Sequence, residues 1–98
     1  MPKSVSYDEY LLDSLRDPKL AEAYLKAAIE DPDPRVFLQA LRSVALARGV
    51  AKVAARSKLN RESLYRMLSK RGNPSLRSLG ALLNSLGFQL TVKSKDAA

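Results

Sequence analysis

The sequence predicts an all-α fold of five to six short helices. A helix-turn-helix lies in the second half, a helical extension precedes it, and one short strand closes the chain. Three observations predict this. Apolar residues recur at helical spacing through most of the 98 residues, a length that suits one domain. Helix start and stop signals are frequent: Asp17-Pro18, Asp33-Pro34, Asn60 and Ser75 as starts, Gly49 and Gly87 as stops. Only residues 88–93 alternate apolar and polar in the period of a strand.

The elements follow in order. Ser6-Tyr7-Asp8-Glu9 has the form of a capping box, which starts a helix over about residues 7–15. Asp17 then caps a second helix with Pro18 at its first position, where the missing N–H costs nothing. That helix runs to about Ile29, with Leu20, Tyr24, Leu25, Ala28 and Ile29 as its apolar stripe. Asp31-Pro32-Asp33-Pro34 breaks it and restarts the chain in a third helix to Arg48, with Phe37, Leu38, Leu41, Val44 and Ala45 turned inward. Gly49 stops that helix. A two-turn helix over 50–57, a tight turn through Lys58-Leu59 and a helix over about 61–69 come next. Arg71-Gly72-Asn73-Pro74 is a loop by composition. Ser75 caps a sixth helix that carries Leu76, Leu79, Leu82, Leu83 and Leu86 toward the core. The organisation expected is an acidic extension over 1–33 on the same core, a helix-turn-helix domain over 34–93, and a frayed tail over 94–98.

Charge divides the chain. Residues 1–34 hold four basic and eight acidic residues, net −4; residues 35–98 hold thirteen basic residues against Glu62 and Asp96, net +11. A basic half of that density attracts a polyanion. Catalysis has little to work with. The absence of histidine and cysteine removes the commonest general base, the commonest metal ligand and the thiol nucleophile. No phosphate-binding glycine loop is present, and Ser57, Ser63 and Ser69 have no partner base in the sequence. Asp31 and Asp33 are explained by capping and turn formation. The protein is therefore read as no enzyme, with no cofactor and no metal site. No apolar run approaches the roughly 20 residues needed to span a bilayer, and the N-terminus lacks the apolar core of a signal peptide, so a cytoplasmic location is expected.

Residues 50–69 have the layout of a helix-turn-helix. Val53, Leu59, Leu64 and Met67 or Leu68 lock two helices together, Ala54 is small where they cross, and Asn60 caps the second, with Leu59 and Leu64 placed as a hydrophobic staple. The second helix is left with Arg61, Glu62, Tyr65, Arg66 and Ser69 outward and Asn60 at its tip. These types suit a major groove: arginine forks onto guanine, asparagine onto adenine, and glutamate accepts from cytosine. Lys52, Arg56, Lys58, Lys70 and Arg71 flank the motif and suit phosphates, which set register without reading sequence.

Three stretches carry a family resemblance. They are Phe37-Leu38-Gln39-Ala40-Leu41-Arg42, Leu59-Asn60-Arg61-Glu62-Ser63-Leu64-Tyr65-Arg66-Met67-Leu68-Ser69, and Gly72-Asn73-Pro74-Ser75-Leu76. With Tyr7-Asp8-Glu9-Tyr10-Leu11-Leu12, Asp17-Pro18 and Ala23-Tyr24-Leu25, the chain resembles the addiction-module antidote proteins over nearly its whole length. That resemblance implies a λ-repressor-like helix-turn-helix and a DNA-binding dimer that represses its own operon. It also implies a partner toxin, typically a small basic RNase. One position departs from the motif: Lys58 stands where glycine is usual in the turn.

Two segments complete the expectations. The acidic residues 1–33 either extend the core or present a surface to a basic partner such as the toxin. The strand 88–93 has no partner in the chain, so Phe88, Leu90 and Val92 are expected to pair with the same strand of a second copy. A homodimer on a near-palindromic double-stranded operator follows. A stand-alone phage-type repressor and a helical adaptor that binds only protein remain open beside the antidote, and RNA binding is weaker because no aromatic stacking platform is visible.

Overall fold

A computed structural model describes the backbone of residues 3–95 and the side-chain environments from Asp8 to Lys95. Six helices follow one another: α1 (Lys3–Ser14), α2 (Pro18–Ile29), α3 (Pro34–Arg48), α4 (Val50–Ser57), α5 (Arg61–Met67) and α6 (Leu76–Ser85). Both Asp-Pro starts work as their chemistry demands. The Asp17 carboxylate accepts from the Lys19 amide at 2.9 Å, and Asp33 accepts from the Arg35 amide at 2.9 Å. Gly49 (φ 98°) ends α3 in a conformation that L side chains avoid. Gly87 (φ 91°) ends α6 in a Schellman turn, in which the Phe88 amide donates to the Leu83 carbonyl at 2.8 Å and the Gly87 amide to the Asn84 carbonyl at 3.0 Å.

α3 is the spine. It buries Leu38, Ala40, Leu41, Val44 and Ala45, a wide arc that serves both sides of the molecule. α1 and α2 pack chiefly on α3; α3 also meets α4, and α4 in turn carries α5 and α6. Leu15, Ala21 and Leu25 from the acidic end join the same core as Val53, Leu64, Met67, Leu82, Leu83 and Leu86 from the basic end. The body measures 50 × 33 × 25 Å.

Several expectations need correction. α1 already runs from Lys3, so Ser6 lies inside the helix instead of capping it. The buried stripe of α2 is centred on Ala21 and Leu25, with Tyr24 and Ala28 beside them. Leu20 and Ile29 fall at its two margins and stay 50% and 53% exposed. Leu76, in the first turn of α6, precedes the core and is 75% exposed. α5 stops at Met67, two residues short of Ser69. No strand occurs among the described residues, which hold no second extended segment to complete the ladder of 88–93. Phe88 packs on the core there, whereas Leu90 and Val92 are exposed. Of the expected frayed tail, Ser94 and Lys95 are exposed, and 96–98 lie outside the described residues.

Candidate nucleic-acid interface

The site is built around the three-residue step from α4 to α5. Ser57 ends α4 and is the one buried polar residue of the described core region. Its hydroxyl donates to the Ala54 carbonyl at 3.4 Å and accepts from the Leu59 amide at 3.3 Å, closing the turn from inside. Lys58 takes the left-handed conformation (φ 63°, ψ 24°), the only non-glycine positive φ among the described residues. Leu59 then leans on the core, and Asn60 caps α5 by accepting from the Ser63 amide at 2.7 Å. That bond occupies Oδ1 and leaves the amide NH₂ of Asn60 free, so a two-point fork onto adenine would cost the cap.

At about 100° per residue, Ser63, Leu64 and Met67 fall on the inner side of α5. Leu64 and Met67 are buried and Ser63 is half-buried. Arg61, Glu62, Tyr65 and Arg66 share the opposite arc of about 140°, and all four are exposed. Glu62 and Arg66 are four residues apart, yet the described ion pairs are Asp13–Arg16, Glu22–Lys26 and Asp33–Arg35. No cation beyond Arg35 has a carboxylate partner among the described residues. Ser69 is separate from the arc: it sits past the end of α5, half-buried, and its hydroxyl donates to the Arg66 carbonyl at 2.8 Å.

The flanking cations form two groups. Lys58 precedes α5 and Lys70 and Arg71 follow it, all exposed. Lys52 and Arg56 lie elsewhere, around a small concavity that also holds Arg48, Val53, Ser85 and Leu86. Arg48 is a member that sequence reasoning missed. Its guanidinium donates to the Leu86 carbonyl at 3.1 Å, which fixes it at the joint of α3, α4 and the end of α6. The four-residue steps from Arg48 to Lys52 to Arg56 were visible, but Gly49 between two helices hid their common side. A second, open concavity lies between α4 and the start of α5, lined by Ala54, Ala55, Leu59, Asn60, Arg61 and Glu62. Its small alanines leave the tip of α5 accessible. The expected pairing residues Phe88, Leu90 and Val92 belong to neither group; they trail from the end of α6.

At the other end of the molecule, the Arg35 guanidinium hydrogen-bonds both oxygens of Asp33 at 2.9–3.2 Å and holds its carboxyl below the usual aspartate value. The described residues offer no group of three or more metal-ligating side chains. No described helix is long and apolar enough to cross a membrane.

Comparison with known proteins bears on this arrangement. Residues 6–94 match a family described as probable addiction module antidote protein. An uncharacterized protein of Haemophilus influenzae is 29% identical over 77 residues, which cover 79% of this chain and 79% of the relative. No solved structure matches the chain. Since the family match begins within α1 and continues past α6, the protein belongs to the family of addiction module antidote proteins.

Proposed function

We propose that the protein is a type II antidote that neutralises a partner toxin and represses its own operon, using α4 and α5 as a λ-repressor-like helix-turn-helix. The observation that carries the reading is the uncovered arc of Arg61, Glu62, Tyr65 and Arg66 on a body in which the cations beyond Arg35 have no carboxylate partner among the described residues. Arg61 and Arg66 fork onto guanine O6 and N7, and Glu62 accepts from a cytosine amino group. Tyr65 and the free NH₂ of Asn60 contact the groove beside them, and Ser69 supports the end of the helix. Lys58, Lys70 and Arg71 hold phosphates at the two ends of α5. Lys52 and Arg56, with Arg48 behind them, hold the backbone further out. Two copies related by a two-fold axis, paired through Phe88, Leu90 and Val92, set two α5 helices about 34 Å apart on a near-palindromic operator. The toxin is a small basic RNase.

A gel shift on the DNA upstream of the protein's own reading frame, repeated over a salt series, tests this. Binding should be far tighter than to scrambled DNA of the same length. Five phosphate contacts per protomer give a log–log salt slope on the order of −4 per protomer. No shift at low salt would leave the helical adaptor as the better reading.

A further inference from the structure

The DNA-reading proposal uses nothing from α1 and α2, and their surface has its own character. These helices sit on α3, while α5 is carried by α4, so a helix layer separates the two surfaces. From Asp8 to Asp33 the chain has eight carboxylates and three cations. That surface repels a polyanion and cannot prolong a DNA interface. It also keeps large apolar groups in solvent: Tyr10 is 72% exposed and Leu20 50%. At about 100° per residue, Tyr10 shares the outward arc of α1 with Glu9 and Asp13, opposite the inward Leu11 and Leu15. Leu20 shares one flank of α2 with the exposed Ala23 and Ala27.

We infer that the outward faces of α1 and α2 form the docking surface for the toxin, a cation-rich protein, with Tyr10 as apolar anchor and Glu9 and Asp13 as acidic rim. The inference rests on the antidote reading above. The occupant follows from charge: an apolar anchor ringed by carboxylates fits a partner that offers an apolar pocket rimmed by lysine or arginine. Carboxylates at such a rim steer encounter and exclude like-charged competitors. Asp13 is held only by an exposed 3.7 Å contact to Arg16, which a partner cation replaces at little cost. Capture of toxin and grip on DNA then use different helices on one shared core, so neither contact occupies the other's residues.

The experiment uses the full chain and the protein encoded by the neighbouring reading frame. Affinity is measured for wild type, for Tyr10→Lys combined with Asp13→Lys, and for Tyr10→Phe, with binding to the upstream DNA measured in parallel. The double variant should weaken the protein complex at least tenfold with no loss of DNA binding, and leave thermal melting unchanged because both side chains are exposed. Tyr10→Phe should keep most of the affinity. Raising salt should weaken the wild-type complex. A double variant that binds the partner as tightly as wild type, or a complex indifferent to salt, overturns the docking surface and leaves the antidote reading intact. Failure of the wild type to bind the neighbour's product overturns the antidote reading, and the docking surface with it.

Discussion

The two ends of this molecule share one core and differ in almost everything above it. The acidic end starts α2 and α3 with aspartate and proline, and it holds all three described ion pairs. The basic end starts its later helices with asparagine and serine, uses a buried serine to close its tight turn, and leaves its cations without carboxylate partners among the described residues. The acidic end compensates its cations; the basic end repels itself unless something outside supplies the missing charge. Caps explain the difference in part. A carboxylate at the tip of α5 would stabilise the helix electrostatically and repel phosphate, whereas Asn60 caps it without charge.

If the core is one unit, the two ends must unfold together. Leu64 is 1% exposed in the basic end and Leu25 is 6% exposed in the acidic end. Leu64→Ala should cost about 3–5 kcal/mol and Leu25→Ala about 2–4 kcal/mol, each with a single thermal transition by circular dichroism. Two transitions in Leu25→Ala would show that α1 and α2 melt alone and would break the picture of a shared core.

A smaller effect separates fold from charge at the turn. Lys58 holds a left-handed backbone that glycine adopts freely. Lys58→Gly should therefore raise stability by roughly 0.5–1 kcal/mol while lowering DNA affinity and flattening the salt slope by about 1 per protomer. Greater stability with unchanged DNA binding would remove Lys58 from the phosphate contacts. The smallest effect lies at the start of α3. The Asp33 carboxyl is held below its ordinary value by Arg35, so its contribution is fully present above the ordinary aspartate range and is lost as pH falls through the lowered value. Acid titration of Asp33→Asn against wild type should show the variant losing less stability on acidification.

Local chemistry was legible in the sequence and long-range packing was not. Asp17, Asp33, Asn60 and Ser75 declare themselves as caps because each acts on an amide two or three residues away. The arc on α5 follows from helical period alone. The stripe of α2 is obscured in the sequence because Ala21, fully buried, carries little apolar weight, while Leu20 and Ile29 carry much and lie at the margins. Alternation points to a strand at 88–93, and none forms among the described residues because the ladder it expects needs a second copy of the chain. Arg48 was out of reach for the same kind of reason: its partner, the Leu86 carbonyl, lies 38 residues away. Ser57 has no base beside it in the sequence, and its part as the lock of the turn depends on the Ala54 carbonyl and the Leu59 amide that the fold brings to its hydroxyl.

The most direct test of the account is the affinity of Arg61→Ala and Arg66→Ala for the upstream DNA and for a set of its single-base variants. Each substitution should cost about 1–3 kcal/mol on the native sequence and abolish discrimination at one base pair per half-site, with melting temperature unchanged. Uniform weakening across all sequences, with every base preference intact, would contradict the claim that α5 reads DNA.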